Sequence, residues 1–294
     1  MTGPSHADAL LAPPPRSLRA GLRFASLVLR ALGPGRYVLA DCIGTCNYAA
    51  SGVSRRRCAA NHRRLDPGLS RRDARRRALA SFRNYARTSV DFIWQYGVPA
   101  HRMHRHFRAY GLEHAYRALD AHGGGVFALA HFGSWDVAAG CGLASGLRIT
   151  TVMAPVGPDI VTRIAVWARR HQDMEVLVSS RAARGLVRAV RRGRFAAILS
   201  DIPERGETAV VTFCGGPVAF STAAAWLGRV AAVPVMPVEC WRVGGRYRLV
   251  VHPPVHVEPG ESDADVMQRV ATVLEVAVRR APEWWYPFGV VYEE

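Results

Sequence analysis

The run Val126-Phe127-Ala128-Leu129-Ala130 constrains the fold of this chain more than any other segment. Five apolar residues without a polar alternate offer no face to water, and Gly123-Gly124-Gly125 bounds them upstream. Such a run suits a strand buried on both faces of a parallel sheet. Further strands are expected at residues 148–153, 175–178, 195–200, 209–213 and 233–238, with helices at 159–171, 182–192 and 222–230 between them. Residues 246–252 read as an edge or antiparallel strand, and 264–280 as a final amphipathic helix. This alternation predicts an α/β fold with a mostly parallel central sheet flanked by helices.

Directly behind the apolar run stands His131-Phe132-Gly133-Ser134-Trp135-Asp136. The residues from Trp135 onward are small or apolar and lack proline, so a helix starting at Ser134 or Trp135 carries Asp136 in its first turn. Alone, a strand-end histidine is as a rule a satisfied half-buried residue, and a first-turn aspartate a cap or dipole partner. Together, at the carboxyl end of a buried strand where open α/β sheets bind ligands, they form a candidate catalytic pair. Gly133 between them allows close backbone approach.

At 294 residues the chain can bury a full core. The composition predicts a disordered tail over residues 1–15, a basic helical extension over 16–110 as a candidate membrane-surface element, and an α/β core over 111–294 packed with it as one domain. Formal net charge is +16, and all 39 basic residues are arginine. Guanidinium groups match phosphate oxygens, so coenzyme A, phosphopantetheine carriers, anionic lipid and nucleic acid all fit the field. No helix-turn-helix, RNP or zinc pattern supports an arginine-rich nucleic-acid binder, and no nucleic-acid partner is expected. The six cysteines form no regular framework, and Cys42 and Cys46 lack a second pair for zinc, so a reducing compartment and no metal are expected. Residues 1–15 are polar and proline-rich, unlike a signal peptide. The best apolar stretch, 22–39, is broken by Arg23, Arg30, Arg36 and Gly33-Pro34-Gly35, which argues against a spanning helix.

Residues 16–32 place Leu18, Leu22, Ala25, Leu29 and Leu32 near one helical face, a pattern that fits a helix in a membrane interface and one packed on the core equally well. Nearby stand Arg55-Arg56-Arg57, Arg63-Arg64, Arg71-Arg72 and Arg75-Arg76-Arg77. A charge run is usually a solvated face; beside an amphipathic helix it can also hold anionic headgroups.

The hexapeptide and its surroundings resemble the HX4D/E acyltransferases, specifically the bacterial lipid A biosynthesis and phosphatidylinositol mannoside acyltransferases. Ser134 stands where that family commonly has Asn. Asn61, Pro67 and Ser81-Phe82-Arg83-Asn84-Tyr85-Ala86-Arg87 are similar to its basic helical prelude. Leu186 to Gly193, leading into Ala196-Ala197-Ile198-Leu199-Ser200-Asp201, is similar to its helix, glycine, strand and aspartate block. Thr212-Phe213-Cys214-Gly215-Gly216-Pro217 resembles its phenylalanine-glycine-proline loop, and Pro282-Glu283-Trp284 its terminal segment. The likeness covers residues 20–290 in one order. Two segments depart from it: Val152-Met153-Ala154-Pro155, and Ile202-Pro203-Glu204-Arg205-Gly206 after Asp201.

The resemblance implies a glycerolipid-acyltransferase-like core, peripheral at the cytoplasmic face of the bacterial inner membrane and needing no cofactor. The implied reaction moves a fatty acyl group from acyl-CoA or acyl carrier protein to a hydroxyl of a lipid or glycolipid acceptor. A soluble or specialised-metabolite acceptor is the alternative that the two departures leave open. Thioester chemistry needs a base, an oxyanion stabiliser and exclusion of water. An imidazole, ordinarily near pKa ~6.5, serves as base if its tautomer is fixed. His131 takes that role here, Asp136 is expected to accept from the other ring nitrogen, and backbone N–H groups around Gly133 and the following helix start are expected to face the oxyanion. No G-x-S-x-G occurs, which disfavours an acyl-serine intermediate. Asp201 or Glu204 is assigned to orienting the acceptor or supporting the base, a role that capping of the next turn rivals for Asp201. Gly133, Ser134, Trp135, Arg170 and Phe213 complete the candidate substrate contacts, with Arg170 as a phosphate ligand and Phe213 as a wall. Trp284-Trp285-Tyr286 reads as core or interface packing.

Overall fold

A computed structural model describes residues 6–155, 157–178, 182–203, 206–289 and 291–292. The chain opens with helices α1 (His6–Leu11), α2 (Arg16–Ala31), α3 (Arg36–Ala50), α4 (Gly52–Leu65), α5 (Arg71–Tyr96) and the short α6 (Ala100–Met103). Strand β1 (Phe107–Tyr110) and helix α7 (Leu112–His122) lead into β2 (Gly125–Leu129), α8 (Trp135–Ala144), β3 (Ile149–Val152), α9 (Asp159–Arg170), β4 (Glu175–Leu177), α10 (Ala182–Val190) and β5 (Phe195–Leu199). A hairpin of β6 (Thr208–Phe213) and β7 (Gly216–Ser221) follows, then α11 (Ala223–Ala231), β8 (Val235–Val243), β9 (Arg246–Val251) and α12 (Asp263–Arg280).

Seven strands form one sheet in the order β1-β9-β8-β2-β5-β3-β4, parallel except for the β8–β9 pair. The apolar run sits at its centre and behaves as its composition requires. Val126, Ala128 and Ala130 pack on one face with Leu186, Leu227 and Met267 of α10, α11 and α12. Phe127 and Leu129 pack on the other with Val137 and Cys141 of α8 and Ala115 of α7. Gly123, at φ +72°, takes the left-handed conformation that ends α7 and frees the chain to enter β2.

Two expectations change and one is narrowed. The segment at 209–213 does not continue the parallel sheet; it pairs with β7 in a separate antiparallel hairpin. β9 is antiparallel to β8 as expected, but it is not the edge, because β1 covers its other side. Within the tail expected to be disordered, residues 6–11 form α1, and Leu10 is buried against Val166 and Val176 of the α9–β4 unit. Arg163 donates to the Ala12 and Pro13 carbonyls beside it.

The long α5 packs Ala86, Val90 and Trp94 into the same apolar cluster as Phe127 and Leu129 of β2, and it is capped by Ser70, whose hydroxyl accepts from Asp73 N–H. A buried group of Asp91, Arg36, Tyr37 and Tyr247 ties it to α3 and β9, with Arg36 Nε 3.0 Å from Asp91 and the Tyr247 hydroxyl also on that carboxyl. Helix α2 rests on α5 through buried Leu29, the Ser26 hydroxyl on the Trp94 carbonyl, and Arg30 on the Gly97 carbonyl. Its other side is bare: Phe24 is 69% exposed and Leu27 59%, and Val38 of α3 is 68% exposed. Of the anticipated apolar face only Leu29 is buried, while Leu18 and Leu32 stay exposed. No helix among the described residues is long and apolar enough to cross a membrane.

Candidate active site

β2 and β5 are parallel neighbours in the register Leu129↔Leu199. The residues two positions beyond, His131 and Asp201, are therefore brought side by side at the carboxyl edge of the sheet. Asp201 is buried, and its two oxygens take the His131 backbone N–H at 2.9 and 3.0 Å. Oδ1 also lies 2.8 Å from His131 Nδ1. A carboxylate there accepts from an Nδ1–H, which makes Nε2 the basic ring nitrogen.

Asp136 is elsewhere engaged. It lies in the first turn of α8, and Arg169 of α9 grips both its oxygens, Nε on Oδ1 at 2.7 Å and Nη2 on Oδ2 at 3.0 Å. The expectation that Asp136 fixes the histidine tautomer is corrected: Asp201 accepts from the ring, and Asp136 belongs to a forked, largely buried ion pair. The arginine that meets Asp136 is Arg169, which the sequence reading did not single out. Arg170 is exposed and donates to the Leu11 carbonyl, away from His131. Thr162, Val166 and Arg169 fall at i, i+4 and i+7, so the buried positions of α9 already marked the face that carries Arg169.

The turn between His131 and α8 is held by distant segments. Gly133 has φ +65°, and a Cβ there would lie 2.0 Å from the Cys240 carbonyl oxygen, so only glycine fits. Its N–H donates to the Trp284 carbonyl at 2.8 Å, and the Ser134 N–H donates to Cys240 at 2.6 Å. Both amides expected to face an oxyanion are thus consumed inside the protein. The N–H groups of the first turn of α8 keep no intrahelical acceptor. Ser134 is buried, and its hydroxyl has no hydrogen-bond partner among the described residues.

The C-terminal segment is a structural brace for this turn. Trp285 bridges Phe132, and Tyr286 N–H donates to the His131 carbonyl. Thr88 of α5 donates to the Gly133 carbonyl at 3.1 Å and meets the Tyr286 hydroxyl at 3.1 Å. Asn84 holds the Glu283 carbonyl, and Asn61 holds those of Pro287 and Gly289. The packing role read for Trp284-Trp285-Tyr286 is what the segment has; all three are buried. The sequence reading missed Thr88 and Asn84 as supports, although their spacing of four placed them on one face of α5.

Trp135 forms the wall beside the imidazole, with ring centroids 5.3 Å apart, and Tyr85 and Tyr286 extend it. Burial, reinforced by the Asp136 charge, raises the Tyr85 hydroxyl above its ordinary value and keeps it protonated. Behind Trp135 lies a narrow cavity of about 30 Å³ lined by apolar side chains and backbone, among them Leu129, Ala138, Ala139 and Val238. Phe213 is no wall of the site. It is fully buried and packs edge-on against Phe220 and Trp285. Cys214 after it is raised well above the usual thiol range by burial and then by the charges of Glu275 and Asp201, so it is no nucleophile at neutral pH. Glu204 lies outside the described residues.

The sequence profile of the bacterial lipid A biosynthesis acyltransferases matches residues 26–288. The phosphatidylinositol mannoside acyltransferase of Mycolicibacterium smegmatis is 25% identical over 221 residues, covering 73% of this chain and 70% of the relative. Proteins of the same name from two strains of Mycobacterium tuberculosis are each 26% identical over 180 residues, covering 60% of this chain and 57% of theirs. With the profile spanning nearly the whole chain and the His131–Asp201 site inside it, the chain belongs to the bacterial lipid A biosynthesis acyltransferase family and is an acyltransferase.

Proposed function

We propose that this protein transfers a fatty acyl group from a thioester, acyl-CoA or acyl carrier protein, to a hydroxyl of a lipid or glycolipid acceptor by direct attack. The observation that carries the reading is the His131–Asp201 contact at the sheet's carboxyl edge. With Nδ1–H on Asp201, His131 Nε2 takes the proton of the acceptor hydroxyl as its oxygen attacks the thioester carbonyl. Asp201 stabilises the imidazolium that forms, the division of labour seen in Ser-His-Asp triads. The tetrahedral oxyanion falls to the N–H groups of the first turn of α8, supported by the positive end of the helix. Collapse of the intermediate breaks the C–S bond, and the departing thiolate recovers the proton from His131. The thioester is already activated, so the step draws on no nucleotide hydrolysis.

Asp136 is a positioning residue in this scheme. Its pair with Arg169 fixes the start of α8 relative to α9 and so sets where those N–H groups point. The relatives' names support a glycolipid acceptor. Exposed Phe24, Leu27 and Val38, together with the arginine-rich sequences of α2 and α4, support a peripheral seat on an anionic membrane.

The test is incubation of the purified protein with radiolabelled long-chain acyl-CoA, or the acylated carrier, and a bacterial lipid extract. Label moving into a lipid, with stoichiometric release of free thiol, is expected. Transfer only to water-soluble acceptors would overturn the lipid assignment, and no transfer from either thioester would overturn the proposed reaction.

A further inference from the structure

A second cavity, of about 410 Å³, lies away from His131 between α2, the end of α5, α6, α8 and the turn after α9. It borders the face of α8 that carries Asp136, Gly140 and Leu143 at i, i+4 and i+7, so it begins about one turn along the helix from the Asp136–Arg169 pair. At its wall stand the side chains of Gln95, Tyr96 and Gln172. Gln95 Oε1, the Tyr96 hydroxyl and Gln172 Nε2 are all covered from solvent, and none has a hydrogen-bond partner among the described residues. An unpaired buried polar group costs about 1–3 kcal/mol. The three here are an acceptor, a group of both kinds and a donor, carried by three residues that line the same cavity.

Gly140 is what lets the Gln95 amide lie against α8; a Cβ there would meet Gln95 Oε1 at 2.7 Å. The terminal torsions of both amides are soft, so each can turn toward a hydroxyl placed in the cavity. The three covered polar atoms carry no charge, and Arg23 and Asp173 at the same wall are one cation and one anion, so together they favour neither an anionic nor a cationic head. The rest of the wall sets apolar Leu27, Met103 and Leu143 beside Arg23, His171 and Asp173, and Leu27 is 59% exposed on the bare side of α2.

We infer that this cavity is a second ligand site, binding an uncharged, hydroxyl-bearing head group that carries a single apolar chain. Hydroxyls pair with Gln95, Tyr96 and Gln172, and the chain runs outward past Leu27 along the exposed apolar surface of α2. The site is separate from the His131 chemistry and does not depend on acyl transfer.

The test is isothermal titration with n-octyl β-D-glucopyranoside below its micelle threshold, compared with octanoate and octyltrimethylammonium. Saturable one-to-one binding of the glucoside is expected, retained in His131→Ala and weakened about tenfold in Gln95→Leu, which loses the paired oxygen. Leu27→Trp, at an exposed position that the fold tolerates, narrows the mouth and should weaken binding to a similar extent. The inference is overturned by binding only above the micelle threshold, by equal binding of the charged probes, or by glucoside binding unchanged in both variants.

Discussion

The Asp201 carboxylate holds His131 at two points, accepting the backbone N–H through both oxygens and the ring Nδ1 through one. One buried side chain just beyond β5 therefore fixes the strand end, the ring orientation and the tautomer together. The contact exists because β2 and β5 are adjacent and in register, not because the two residues are close in sequence.

Asp201→Asn should lower the rate of acyl transfer by about 10²–10⁴-fold, because an amide can present a donor to Nδ1 and favour the wrong tautomer. The loss should be strongly non-additive with that of His131→Ala, since the two residues act as a unit. Asp136→Asn should cost less activity than Asp201→Asn. Equal losses, or a larger one at Asp136, would show that the Asp136–Arg169 pair does more than position α8.

Arg169→Ala leaves the Asp136 carboxylate, 10% exposed, without its partner. Removing one member of such a pair costs about 3–5 kcal/mol, mostly as an uncompensated buried charge. Urea unfolding should show a marked drop for Arg169→Ala and a smaller one for Arg169→Ala combined with Asp136→Ala. A single variant as stable as the parent would contradict the pairing.

His62 is fully buried, with Nε2 2.9 Å from the Ser81 hydroxyl and its ring against Trp285. Burial, followed by the charge of Arg77, pulls its pKa down to about 3. Above about pH 6.5, the ordinary histidine value, neither the folded nor the unfolded chain holds the proton and the group adds no pH dependence. As pH falls from there toward 3, the unfolded chain binds a proton that the folded one refuses, and stability drops by up to about 1.4 kcal/mol per pH unit. His62→Gln should flatten the acid limb of the unfolding midpoint measured between about pH 6 and 4. An unchanged slope would place the acid sensitivity elsewhere.

Phe24→Asp and Val38→Asp put charge on exposed apolar positions of α2 and α3 that support nothing in the core. Both should leave the melting temperature nearly unchanged and weaken co-sedimentation with anionic vesicles. Removing charge from Arg55, Arg56 and Arg57, or adding salt, should act in the same direction. Binding equally strong to neutral vesicles and indifferent to salt would contradict a membrane seat on this face.

The central strand and the histidine proposed as base were legible because an unbroken apolar run followed by His131 leaves few structural choices. The partner of that histidine was not. Asp136 is near in sequence, yet only the strand order, with β5 inserted between β2 and β3, decides that Asp201 reaches the ring. β1 escaped notice because Phe107-Arg108-Ala109-Tyr110 is too short to display a period. The β6–β7 hairpin did so because its turn uses Cys214 and Gly215, at φ +53° and +89°, in place of the usual Asn-Gly. The exposed apolar face of α2 fitted both a membrane and a core helix in the sequence, and the structure shows one side of the helix packed and the other bare.

The account rests on His131 as the base, and the most direct test is the single-turnover rate of acyl transfer from radiolabelled acyl-CoA to lipid by His131→Ala at a matched folded fraction. A fall of about 10²–10⁴-fold with the melting temperature retained is the predicted result. Transfer at near the parent rate would contradict it.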